Sequence, residues 1–224
     1  MQSALIVGAG SGLSASLARL FTQNGLRVTL AARDTGKLAA LCAETGATAI
    51  AADATQAADV ARVFDTAGDP DVVVYNASAR ARGPFVELDP AAVAQAIAIS
   101  AFGGFLVAQQ ALKRMVPRGA GAILFTGASA SVKGYPQSAP FAMGKFALRG
   151  LAQSLAREFS PQGIHIAHFV IDGGIRSAVR VDPADKPDSL LDPDDIAETY
   201  WHVLNQKRSA WTWEVELRPW VERF

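Results

Sequence analysis

The feature that most constrains this chain is a repeated switch of hydrophobic period, from short apolar runs to stretches with helical spacing. Ala4–Val7 is an apolar run closed by Gly8, and Leu13, Leu17, Leu20 and Phe21 then recur at helical spacing before a stop at Gly25. Arg27–Ala32 reads as a second strand, residues 35–45 as a helix ended by Gly46, and Ala47–Ala51 as a third strand. A helix near 56–67 and a strand at Asp71–Tyr75 repeat the unit. Helical segments follow over 89–117, then a strand at Ala122–Thr126, a long helix over about 140–160 and a strand at Ile164–Ile171. Asp192 and Pro193 supply an N-cap and a first helical position for a helix to about Asn205, and Trp211–Leu217 alternates as the last strand.

Strands alternating with helices make β-α-β units, and these build a parallel sheet covered by helices on both faces. The runs VVVY and AILF, apolar at every position, fit burial on both sides. The expected fold is α/β: three layers around one doubly wound parallel sheet, in a single domain of residues 1–224. Arg176–Leu191, rich in Asp, Pro and Ser, is flanked by elements of that same sheet and reads as a substrate-side loop or lid over 176–191.

Composition narrows the partners. Half of the 224 residues are hydrophobic and 19% are charged, enough apolar material for a sizeable core. Lys plus Arg and Asp plus Glu each number 21, and a net charge of zero argues against nucleic acid or an anionic membrane as partner. The start MQSALIVGAG has no basic, apolar leader pattern, and no apolar stretch is read as reaching the roughly 20 residues that span a bilayer, so a cytoplasmic protein is expected. Cys42 is the sole cysteine, which rules out an intramolecular disulfide. His165 and His168, three apart on one strand, point to opposite faces, and with His202 distant no metal site is indicated. No G-x-S-x-G elbow supports a serine hydrolase.

The chemistry concentrates after the first strand. Ser3–Ser14 reads strand, then G-A-G-S-G, then helix, so Gly8, Gly10 and Gly12 let the backbone turn and approach a phosphate. Amides around Ser11, Gly12 and Leu13 at the helix start would meet its charge. The plain alternative is an ordinary glycine-rich turn. Strand two ends on Arg33, which would bind a 2′-phosphate and so favours NADP over NAD, unless it is simply a solvated arginine beside Asp34.

Taken in order, Gly8-x-x-x-Gly12-x-Ser14, Arg33, Asp53-Ala54, Asn76-Ala77-Ser78 and Lys145 resemble the short-chain dehydrogenase/reductase family from residue 3 to about 175. The resemblance implies a Rossmann-type sheet of seven strands in order 3-2-1-4-5-6-7. It implies that Asp53 meets the adenine with Ala54 beside it in the cofactor site, and that Asn76, Ala77 and Ser78 line the cofactor near its nicotinamide ribose. Gly173 and Ile175 would lie against the nicotinamide, and Lys145 would hold the ribose. Family members commonly form dimers or tetramers, so a homo-oligomer is expected.

Three positions depart from the family pattern. The family's Tyr, four residues before the Lys, falls on Phe141, which has no proton to give. Its Ser falls on Ala128, with Ser129 one place off, and its helix Asn falls on Ser100. The run FAMGKFALRG resembles a bacterial branch of the family that carries Phe here. Substitutes are Tyr135, whose plainer reading is a loop residue without contact to the cofactor, and Ser129, which could orient a carbonyl. Ala128 and Phe141 would line a pocket for a small apolar carbonyl or alcohol.

All four tryptophans (Trp201, Trp211, Trp213, Trp220) fall in the last 24 residues, with Tyr200 and Phe224. Trp211 and Trp213 are expected on one strand face, packing the sheet or spilling into a subunit contact. The leading expectation is an NADP(H)-binding oxidoreductase with an atypical or impaired proton-transfer site. The alternatives are a cofactor-binding sensor or scaffold without turnover, or an isomerase or lyase on the same fold.

Overall fold

The apolar runs become strands because aliphatic side chains fill both faces of one sheet. The strands are β1 (Ser3–Val7), β2 (Arg27–Ala32), β3 (Thr48–Ala51), β4 (Val72–Tyr75), β5 (Gly121–Thr126), β6 (Ile164–Ile171), β7 (Gly174–Ile175), β8 (Leu190–Leu191) and β9 (Glu214–Leu217). In the computed structural model, which describes residues 1–222, seven of them pair in parallel in the order β3-β2-β1-β4-β5-β6-β9. This is the expected order; the seventh strand is numbered nine because the two-residue β7 and β8 form a separate parallel pair inside the 176–191 region and its approach.

Helices α1 (Leu13–Gln23), α2 (Ala39–Thr45) and α7 (Pro193–Leu204) cover one face, burying Leu17, Phe21 and Tyr200 with Ile6, Leu30 and Phe169. Helices α3 (Ala57–Ala67), α5 (Gly103–Met115) and α6 (Ala139–Phe159) cover the other, burying Phe64, Val107 and Leu148 with Leu5, Tyr75 and Phe125. Neighbours along β1, Leu5 and Ile6, fall in different layers, as a strand with two buried faces requires. The sequence-read caps are formed: the Asp192 carboxylate accepts from the Asp194 amide at 2.9 Å, and Pro193 opens α7.

Two expectations need correcting. The last strand begins at Glu214, because the chain bends at Trp213 before it joins the sheet. Trp211 therefore stacks on His165 at 4.6 Å, and Trp213 packs into the α6 layer while Val215 and Leu217 pack into the α1 layer. The common aromatic face is absent, Trp201 meets Phe21, and Trp220 is exposed; Phe224 lies outside the described residues. Second, helix runs unbroken from Pro90 to Arg118, long and apolar enough to cross a bilayer by length and composition, contrary to the reading that no stretch approached that length. Within the fold its apolar face, with Leu106, Val107 and Met115, is buried against the sheet.

That run is not regular. Between α4 (Pro90–Ile97) and α5 lies a π-helical turn, Ala98–Phe102, the kind of irregularity that concentrates at functional sites. Its start is fixed by the Tyr75 hydroxyl, which donates to the Ile99 carbonyl. The chain can come this close because residue 103 is glycine: a Cβ there would lie 2.3 Å from the Tyr75 oxygen and 2.9 Å from the Ala54 carbonyl. Gly103→Ala is expected to destabilise the protein by about 1–3 kcal/mol through overpacking. Gly150→Ala, in the exposed interior of α6 with nothing within 4 Å of the new Cβ, is expected to stabilise by up to about 1 kcal/mol. Urea denaturation of the two variants checks both signs.

Candidate functional site

At the C-terminal ends of the central strands, the chain leaves β1 through Gly8, whose φ of +84° favours glycine, and a Cβ there would lie 2.3 Å from the Ala77 nitrogen. Gly8 thus lets the segment after β4 press against the turn. Asn76 seals the contact: its side-chain amide donates to the Ser14 hydroxyl at 2.6 Å, which donates to the Gly8 carbonyl at 3.3 Å. The Asn76 backbone amide donates to the Val7 carbonyl at 2.8 Å. Ser14, where a further glycine would only have eased packing, instead joins the two loops.

Gly10 and Gly12 differ from Gly8, since a Cβ on either would meet nothing within 4 Å. They border open space at the start of α1, where no side chain caps the helix and no acidic residue sits in the first turn. An uncapped N-terminus behind an open glycine turn suits a diphosphate. The side chain of Leu13 is buried in the core, so only its backbone faces this space.

A cavity of about 400 Å³ continues from the turn and gathers Gly8, Arg33, Asp53, Ala54, Asn76, Ala77 and Ser78. The Asp53 carboxylate is engaged by the Thr55 amide and hydroxyl at 2.9 and 2.8 Å, which fixes the loop after β3. Lys37 also lines the cavity beside Arg33, 3.3 Å from the Asp34 carboxylate, and Ile99 brings the π-turn to its wall. Neither was read from the sequence, although a lysine four residues beyond Arg33 was visible there. Gly173 and Ile175 stand apart from this cavity: a Cβ on Gly173 would meet Pro219 at 2.9 Å, and Ile175 pairs with Leu191. The residues present fit a dinucleotide, with open glycines for the diphosphate and two cations at the far rim.

Helix α6 carries Phe141 and Lys145 one turn apart, both buried. The Lys145 Nζ donates to the Thr126 carbonyl at 2.6 Å and lies 5.9 Å from the Phe141 ring centre. Burial, with a smaller contribution from Arg80, pushes the Lys145 ammonium down to about 7. Ser100 on the π-turn is fully buried behind this helix, and a Cβ on Gly144 would sit 2.7 Å from it. A second cavity, about 330 Å³, is lined by Phe141 together with Ser129 and Tyr135, so these three do share one wall. Ala128 is not part of it; its amide donates to the Ser131 hydroxyl at 3.2 Å instead. Nor is the cavity apolar, because Arg80 and Arg82 line it too.

Beneath this floor lies a network that the sequence did not reveal. The fully buried His168 contacts the Ser131 Oγ through Nε2 at 3.3 Å and the Glu214 carboxylate through Nδ1 at 3.1 Å, and Arg149 clamps Glu214 at 2.6 and 2.7 Å. Burial pulls the His168 ring down to about 4 against the opposing pull of Glu214, so it is neutral near pH 7. A proton on Nδ1 satisfies both contacts, with the Ser131 hydroxyl donating to Nε2.

Residues 2–186 match the short chain dehydrogenase family model. The chain belongs to this family. It is 31% identical over 178 residues to short chain aldehyde dehydrogenase 1 of Euphorbia lathyris, a match covering 73% of this chain and 60% of that relative's length. A short-chain dehydrogenase from Rhodopseudomonas palustris superposes with a TM-score of 0.84 at 32% identity, over 98% of this chain and 99% of that one. A metagenomic short-chain oxidoreductase solved in complex with NADP gives 0.84 at 26% identity, over 99% and 98%. The short chain dehydrogenase family is one of oxidoreductases, and its nicotinamide cofactor accords with the glycine turn and the larger cavity.

The buried Lys145 generates a pH prediction. Below about pH 7 it is protonated folded and unfolded, so the full burial penalty applies; between about 7 and the ordinary 10.5 only the unfolded chain holds the proton, and the penalty declines. Wild-type stability is therefore expected to rise relative to Lys145→Met as the pH is raised from 7 to 10. Denaturant melts of the cofactor-free proteins across that range check it, and parallel profiles contradict it.

Proposed function

We propose that this short chain dehydrogenase is an NADP(H)-dependent oxidoreductase acting on a small carbonyl or alcohol, with an atypical proton-transfer site. The observation that carries it is the meeting, along one edge of the sheet, of an open glycine turn, a cavity rimmed by Arg33 and Lys37, and the buried Lys145 beside a second cavity. When bound, the nicotinamide donates or accepts a hydride. Gly10, Gly12 and the start of α1 hold the diphosphate, Arg33 and Lys37 the 2′-phosphate, and Asp53 and Ala54 flank the adenine. Asn76, Ala77 and Ser78 line the inner ribose, Lys145 binds its hydroxyls, and Gly173 and Ile175 bound the nicotinamide end.

Phe141 cannot deliver a proton from the face it shares with Lys145. Tyr135 takes that role in this reading, with Ser129 orienting the substrate oxygen, because both line the cavity that Phe141 closes. A positioned general acid typically contributes about 10²- to 10⁴-fold. Self-association is part of the proposal: Phe102 and Phe105 stack at 6.0 Å on the surface, and Met143 and Phe146 are also half exposed.

Fluorescence titration is expected to give NADPH an affinity about tenfold or more above NADH, a preference that Arg33→Ala removes. No binding of either nucleotide contradicts the reading. In a screen of carbonyls by nicotinamide absorbance, Tyr135→Phe is expected to lose about 10²-fold or more in kcat, and Phe141→Tyr to gain. Turnover that emerges only in Phe141→Tyr identifies the wild type as a cofactor-binding protein without catalysis.

A further inference from the structure

The smaller cavity has a charge pattern that a neutral carbonyl does not require. Arg80 and Arg82 both line it, and no carboxylate does. A third arginine approaches from the 176–191 segment. Arg180 is held there by reciprocal backbone hydrogen bonds with Ser177 at 2.9 and 3.1 Å, and its guanidinium lies alongside Gly174. That segment is itself braced by Arg176, which bridges Asp182 and Asp192 at 2.8 and 2.9 Å.

Arg149 and Arg176 are paired with acids, whereas among the described residues Arg80, Arg82 and Arg180 form no ion pair with a carboxylate. Arg80 is steadied by an apolar surface, its guanidinium carbon 4.3 Å from the centre of the Phe141 ring. Burial disfavours its charge, and Arg82 and Arg180 disfavour it further. Two stretches of chain thus bring three arginines near one another, and among the described residues none of the three is neutralised by an ion pair. A guanidinium held over an aromatic ring keeps its N–H groups for other partners, and its planar fork matches an oxyanion with two hydrogen bonds. Ser129, Tyr135, Gln137 and Ser138 add neutral polar groups around it.

We infer that this cavity binds an oxyanion on the substrate, a carboxylate or a phosphate ester, so that the substrate class is an anionic carbonyl compound or the matching hydroxy compound. This rests on the oxidoreductase reading and sharpens it. In the reductive direction the carbonyl carbon gains the hydride lost by NADPH and the oxygen gains a proton, giving the alcohol and NADP⁺, while the oxyanion stays unchanged as a binding handle. Phe141 then carries Arg80 at the position where the family resemblance implies a phenol.

Calorimetric titration of the intact protein with NADP⁺ present tests it, using two matched probe pairs: phenylpyruvate against phenylacetone, and dihydroxyacetone phosphate against dihydroxyacetone. At least one anion is expected to bind about tenfold or more tightly than its neutral partner, and the responding pair identifies carboxylate or phosphate. The preference is expected to fall about tenfold in both Arg80→Gln and Arg82→Gln, with NADP⁺ affinity held within about twofold. Equal binding within both pairs, no anion binding up to about 10 mM, or a preference that survives both substitutions overturns the inference. A parallel loss of NADP⁺ affinity also overturns it, because the arginines would then serve the cofactor. Anion preference without NADP⁺ binding leaves the oxyanion site standing and removes the oxidoreductase reading instead.

Discussion

The contact on which the rest of this molecule depends is the approach of the Ala77 backbone to Gly8. It is possible only because residue 8 has no Cβ and tolerates a φ of +84°. The Asn76–Ser14–Gly8 hydrogen bonds turn that proximity into a fixed distance between the ends of β1 and β4. With those ends fixed, the start of α1 opens toward solvent beside the loop after β3, and one continuous surface runs from Arg33 to Ser78. Replacing the turn with an ordinary loop would leave the sheet paired but separate the groups that make the cavity.

The second half of the chain is positioned by α6. Gly144 lets this helix lie on the π-turn at Ser100, and one turn of helix carries both Phe141 and Lys145 to the sheet edge. The floor beneath them is polar yet closed: Thr126 takes the lysine, Ser131 takes the Ala128 amide, and the neutral His168 links Ser131 to Glu214 and Arg149. A Cβ on Gly127 would lie 2.4 Å from the His168 ring, so the β5 loop and this network pack as one unit. A buried polar network of this kind holds its shape only when every member is satisfied.

Much of the fold was legible because each strand and helix announces itself locally, through a period of two or a fully apolar run against a period near 3.6. Seven of the residues read as cofactor-side converge on one cavity, because they follow strands at fixed places in such a sheet. What stayed hidden is tertiary. Arg80, Arg82 and Arg180 look like unremarkable surface charges until two distant segments meet, and the His168–Glu214 pair joins residues 46 apart on neighbouring strands. The π-turn leaves no periodic mark, since one added residue in a helix of alanines and isoleucines hardly disturbs the hydrophobic pattern. The tryptophans misled because alternation continues through Trp211 and Trp213, while the backbone bend before Glu214 sends Trp213 into a different layer from Val215 and Leu217.

The central claim is that the open glycine turn and its adjoining cavity together form one dinucleotide site. Amide hydrogen exchange with and without saturating NADPH tests it most directly. The account predicts slowed exchange in 8–14, 31–37, 52–54 and 76–79, and at 173–175 where the nicotinamide end lies, with β9 at the far side of the sheet unchanged. Uniform slowing across the chain, or protection that leaves 8–14 and 76–79 untouched, contradicts it.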